Sequence, residues 1–137
     1  MIAATFVPLM LLTPAPPVPE WNCENPQVQQ EMNWCAAREF DIEDALLNAQ
    51  WKESVDAMKA RDDAFAASDL GAYDAREGYS ESLLEAQRGW LRYRDAHCRV
   101  DGYTARGGSM EPMLVSSCMA QLTRQRTDEL RALIATE

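Results

Sequence analysis

From Asn25-Pro26 the chain runs without proline to Pro112, and Ala, Leu, Glu, Gln, Met and Arg dominate this stretch, as expected of helix. Its apolar residues fall at three- and four-residue spacing. Val28, Met32, Cys35 and Ala36 mark a first stretch beginning at Asn25 or Gln27, with Asn25 able to cap and Pro26 suited to the first turn. Residues 41–61 continue helically with Ile42, Ala45, Leu46, Ala49, Val55 and Met58 as the inner face. Asp41 can cap there after a kink, and the pattern fits one long helix or two. Residues 66–80 hold Gly71, Gly78 and several capping residues, which mark a break. Ser80 then opens a helix over 81–98, with Leu83, Leu84, Gln87, Trp90, Leu91 and Arg94 along one side. A Gly-containing loop spans 100–108. Ser109 caps a last helix to about residue 135, built on Leu114, Cys118, Leu122, Leu130 and Leu133. The predicted fold is all-α, a small antiparallel bundle of three to four helices.

At 137 residues, with 47% apolar and 26% charged residues, the chain is expected to form one modest globular domain. The apolar run from Met1 to Leu12 is short of the roughly 20 residues that span a bilayer, so no spanning helix is predicted. It reads instead as the apolar region of an export segment, although Ala15 is followed by Pro16-Pro17, a poor cleavage context. The layout is therefore an export segment over 1–15, a proline-rich linker over 16–22 and a helical domain over 23–137.

Cys23, Cys35, Cys98 and Cys118 contain no C-x-x-C pair and no Cys/His cluster, which argues against zinc. Behind an export segment they read as two disulfides kept by an oxidising compartment, in the periplasm or cell envelope; four buried thiols are the alternative. Three connectivities are possible. The two short loops, Cys23–Cys35 and Cys98–Cys118, are preferred. A helix from Pro26 to Cys35 would rise about 13 Å, more than the return to Cys23 comfortably covers. That favours a helix start nearer Gln29.

The net charge of −9 argues against binding nucleic acid, whose phosphates select Lys and Arg, and favours basic partners. The acid is concentrated in the middle, since residues 39–63 hold eight acids and three bases, whereas residues 99–137 hold five of each. Catalytic signals are weak. His97 lies beside Cys98, which has no free thiol if bonded, and Gly107-Gly108-Ser109 lacks the flanks of a nucleophile elbow. No catalytic residue, metal or cofactor is predicted. Asn33, Asn48, Gln87, Arg94 and Arg126 are polar residues on otherwise apolar faces and so demand partners. Asp44 or Glu31 could neutralise Arg94 or Arg126 across the bundle. If Arg94 meets a buried acid, Arg94→Met should cost roughly 3 kcal/mol.

Several segments carry a resemblance. They are Cys23, Gln29-Gln30-Glu31-Met32-Asn33-Trp34-Cys35-Ala36, Asp44-Ala45-Leu46-Leu47-Asn48 with Trp51, Gln87-Arg88-Gly89-Trp90-Leu91, Tyr93-Arg94-Asp95-Ala96-His97-Cys98, Gly107-Gly108-Ser109, Cys118, and Leu122-Thr123-Arg124-Gln125-Arg126. In this order they resemble the LprI-type lysozyme-inhibitor domain, with Trp51 where that family usually has tyrosine. The resemblance covers about residues 23–130. It implies an exported helical module that binds a lysozyme or other muramidase and blocks its cleft without turning anything over. An envelope interaction module without that activity is the second reading. Animal-type lysozymes are strongly basic, so a chain of this charge would be steered toward them. Two contact surfaces are expected: the acidic stretch through Glu39, Glu43, Glu53 and Asp56, and the Gly-containing loop with Tyr103 and Arg106 as anchors.

Overall fold

A computed structural model describes residues 21–135. The proposed export segment and most of its linker, residues 1–20, lie outside the described residues. Three helices follow one another: α1 (Gln29–Ala66), α2 (Tyr79–Gly102) and α3 (Glu111–Ile134), with a short 3-10 turn at Tyr103–Ala105. No strand occurs among the described residues, as the composition predicts. α1 is a single helix of 38 residues, about 57 Å long at 1.5 Å per residue. Nothing in its sequence interrupts it, so Asp41 lies in mid-helix and caps nothing. α2 returns antiparallel to α1. α3 then runs parallel to α1, with which it packs more extensively than α2 does.

Both disulfides close as the short-loop argument expects, Cys23–Cys35 and Cys98–Cys118, with Cα separations of 5.5 and 5.4 Å. The first requires the chain before α1 to fold back, which delays the helix to Gln29. Asn25 and Pro26 therefore do not start it. Val28 precedes the helix in extended conformation, and the Glu31 carboxylate accepts the Gln27 N–H at 2.7 Å. An acid in the first turn also suits the positive end of the helix dipole.

The other two expected caps are corrected as well. Ser80 lies inside α2, after Gly78. The start of α2 is capped from another helix: Asp62 of α1 accepts the Tyr79 N–H at 2.6 Å, the Ser80 N–H at 3.0 Å and the Ser80 hydroxyl at 2.6 Å. A Cβ at Gly78 would collide with that carboxylate. Ser109 lies ahead of α3 and its side chain caps nothing; its carbonyl accepts Asn33 Nδ2 at 2.9 Å. The loop also starts later than expected. α2 continues through Val100 to Gly102, where a Cβ would overlap a Val115 methyl of α3, so glycine permits the close approach beside Cys98–Cys118.

The Ser80 hydroxyl, then the Ser80 and Tyr79 amides, hold the Asp62 carboxyl below its ordinary value of 3.8. A depressed folded value makes the contribution of this cap complete above the unfolded value and lost as pH falls through the folded one. Asp62→Ala should therefore lower amide protection over residues 79–82 at neutral pH. In the unaltered chain the same protection should fall only in strong acid. Protection equal in the two proteins at neutral pH would remove Asp62 as the cap.

Leu47, Met58, Leu83 and Leu130 form the core, with Trp51, Val55, Trp90 and Ile134 packed against it. The expected inner face of α1 is wrong over its first half. Val55 and Met58 turn inward, but Ala45 and Ala49 are exposed and Ile42 and Leu46 are 51% and 52% exposed. Ala36, Leu47, Gln50, Ser54 and Met58 are buried instead. The buried stripe contains two polar residues, which disguised it, whereas the outward stripe is apolar. α3 shows the same effect: Ala120, Thr123, Thr127 and Leu130 are buried while Leu133 is 44% exposed. In α2, Leu84 and Leu91 lie at the exposed margin and Cys98 is fully buried.

Candidate partner-binding surfaces

Of the polar residues anticipated inside the bundle, Asp44, Asn48 and Arg94 form one group and Gln87 and Arg126 another, although Asn48 itself is exposed. Arg94, on α2, is buried; its Nη1 donates to Asp44 and to the Thr123 hydroxyl, each at 3.3 Å, and its Nε to Asp95 at 3.0 Å. Its guanidinium also lies 5.1 Å from the ring centres of both Phe40 and Trp90. Asn48 donates to Asp44 at 3.0 Å, so Asp44, Asn48 and Arg94 come together. Arg126 takes other partners, donating its Nε to the Gln87 side-chain amide oxygen Oε1 at 3.0 Å and its Nη1 to Glu129 at 2.9 Å. Glu31 is engaged at the start of α1 and Asn33 with Ser109 and Gln29; neither meets an arginine of this network.

Sequence reasoning missed Gln50, Ser54, Thr123 and Thr127, all buried. Ser54 donates to the Leu130 carbonyl at 3.4 Å and Thr127 to the Thr123 carbonyl at 3.0 Å. Their signal was there, since 50/54 and 123/127 are pairs at helical spacing. Among the described residues no buried side-chain nitrogen or oxygen lacks a partner. A fully satisfied interior of this kind fixes helix register.

The acidic stretch divides in two. Arg124 of α3 grips Glu39 at 2.7 Å and Glu43 at 2.9 Å, and the hydrogen bonds it donates to Glu39, then to Glu43, raise the guanidinium's pKa. These two acids are thus partly neutralised within the molecule. Glu53 and Asp56 are exposed and enter none of the described ion pairs. In the Gly-containing loop the Arg106 guanidinium lies over the Tyr103 ring at 4.4 Å. The loop is pinned where Gly107, at φ +76°, donates its N–H to Glu111 at 2.6 Å. His97 stacks on Tyr93 at 5.2 Å, and Cys98 is bonded to Cys118, so no thiol stands ready for that imidazole.

The family model for the lysozyme inhibitor LprI matches residues 22–130, a span that takes in both disulfides and the Asp44–Arg94 pair. The chain belongs to the LprI lysozyme inhibitor family. That family is one of inhibitors, not of catalysts. An uncharacterized protein of Rhizobium meliloti (strain 1021) is 44% identical over 136 residues, covering 96% of this chain and 94% of that protein. A crystal structure of a DUF1311 family protein from Pseudomonas putida KT2440 covers 82% of this chain and 100% of its own, at a TM-score of 0.63 and 22% identity. The latter likeness speaks for the helical fold alone. No helix among the described residues is long and apolar enough to cross a membrane.

Proposed function

We propose that this LprI-family chain is exported to the periplasm or cell envelope and binds a lysozyme or related basic muramidase, blocking its cleft. Membership of an inhibitor family is the observation that carries the reading. Two closed disulfides suit an oxidising compartment, with residues 1–15 as the export segment ahead of the linker over 16–22. The charge of −9 supports attraction to a basic enzyme. Contact through Glu53 and Asp56, with Glu39 and Glu43 nearby, and through the Tyr103/Arg106 loop remains the proposed arrangement.

The direct test follows the turbidity of a cell-wall suspension lysed by an animal-type lysozyme, with and without the purified oxidised chain. Added chain should slow clearing in proportion to its concentration, and less so as salt rises, because surface charges are screened beyond about 8 Å at physiological ionic strength. Clearing at the same rate with the chain in excess would refute inhibition. A second reading, an envelope module without lysozyme activity, is favoured by the use of Gln87, Arg94 and Cys98 inside the bundle. A scaffold held in common need not mean a partner held in common.

A further inference from the structure

Ile42, Ala45, Leu46 and Ala49 occupy positions i, i+3, i+4 and i+7 of α1 and are all exposed, so they form one apolar stripe pointing away from the bundle. Isolated surface apolar residues need no explanation. Four on one face of a continuous helix, two of them large and half-exposed, make the pattern of anchors with which a helix enters a partner's groove.

The same face continues into Glu53 and Asp56, at i+11 and i+14. Several other acids of α1 are engaged within the molecule, Glu39 and Glu43 with Arg124, Asp44 with Arg94, and Asp62 with the start of α2, while Asp41 and Asp63 are exposed and, like Glu53 and Asp56, enter none of the described ion pairs. The unpaired carboxylates Glu53 and Asp56 therefore stand in line with the apolar stripe.

We infer that this outward face of α1 docks the basic muramidase, with Ile42 and Leu46 as apolar anchors and Glu53 and Asp56 meeting its cationic surface. The inference rests on the function proposed above and names the surface that performs it. Charge selects the occupant. A second copy would bring another net −9 against this face, whereas a basic enzyme gains from the apolar and the electrostatic contact alike. The Tyr103 ring is a weaker anchor because Arg106 already covers it.

The test measures binding of the oxidised full chain to an animal-type lysozyme by surface plasmon resonance, with sedimentation velocity of the chain alone. The double variant Ile42→Ser/Leu46→Ser alters exposed positions and should keep the circular-dichroism melt while dissociating about tenfold faster or more. Ala49→Arg provides a second probe, placing a bulky cation on the stripe in a residue type that suits helix; it should weaken binding to a similar degree. Glu53→Lys/Asp56→Lys should slow association at low salt, with the difference vanishing at high salt. Binding by wild type that neither stripe variant weakens would overturn this face and leave the proposed function standing. No binding by wild type would remove that function and this inference together. A wild-type dimer that Ala49→Arg separates would assign the stripe to a second copy and overturn the inference.

Discussion

Replacing Cys98 and Cys118 together by alanine is expected to lower stability by about 3 kcal/mol, the chain-entropy value for a loop of this length. The two residues are 20 apart in sequence and join α2 to α3. Cys98 is fully buried, and the close passage of Gly102 against Val115 lies one turn beyond it. The lost tether thus acts on the hairpin on which α1 rests. In a thermal melt followed by circular dichroism the midpoint should fall by about 10 °C. Removing Cys23 and Cys35 should cost the global fold less. That bridge holds a segment outside the helices, with Cys23 itself exposed and Trp21 resting edge-on against Trp34. Equal losses from the two double variants would mean that the N-terminal segment is integral to the bundle.

Arg94→Ala should be comparably damaging, by about 3 kcal/mol, and Arg94→Met much less, by about 1 kcal/mol. The sequence-based expectation for the methionine variant assumed an acid stranded in the core. Asp44 and Asp95 are instead 39% and 52% exposed at their side chains, while that of Arg94 is 8% exposed. Either acid can return to water once the guanidinium is gone. Loss of the arginine body between Phe40 and Trp90, and of the donor to Thr123, cannot be made good by solvent. Methionine refills most of that volume and alanine does not. Chemical denaturation of the two variants separates the explanations, since equal losses would show that the charge governs stability and the packing does not.

Several features could be read directly because they depend on local signals. The break near residues 66–80 follows from glycine and capping residues, the disulfide pairing from loop length, and the need of Arg94 for an acidic partner from the cost of burying a lone guanidinium, with the choice between Asp44 and Glu31 left open. The burial face of α1 could not be read in the same way. That helix carries an apolar stripe through Ile42 and Leu46 and a mixed stripe through Leu47, Gln50, Ser54 and Met58, and the fold buries the mixed one. Only the approach of α2 and α3 decides between them. The caps failed for a related reason: Asp62 serves Tyr79 and Ser80 from a different helix, a relation that a search for a cap just before the helix cannot see. The acidic stretch was visible, but the division between Glu39 and Glu43, held by Arg124, and the outward Glu53 and Asp56 required the placement of α3.

The parallel pairing of α1 with α3 bears on how the chain reaches its native state. These helices make the larger interface yet are separated by all of α2, and Ser54 meets the Leu130 carbonyl across 76 positions. The α2–α3 hairpin can close early through contacts near in sequence. Seating α1 along α3 needs a long-range closure, whose entropic cost precedes its reward. Refolding kinetics should accordingly be governed by the arrival of the longest helix on a hairpin already held together by Cys98–Cys118, so that keeping this bridge oxidised shortens the search while leaving its slowest step in place.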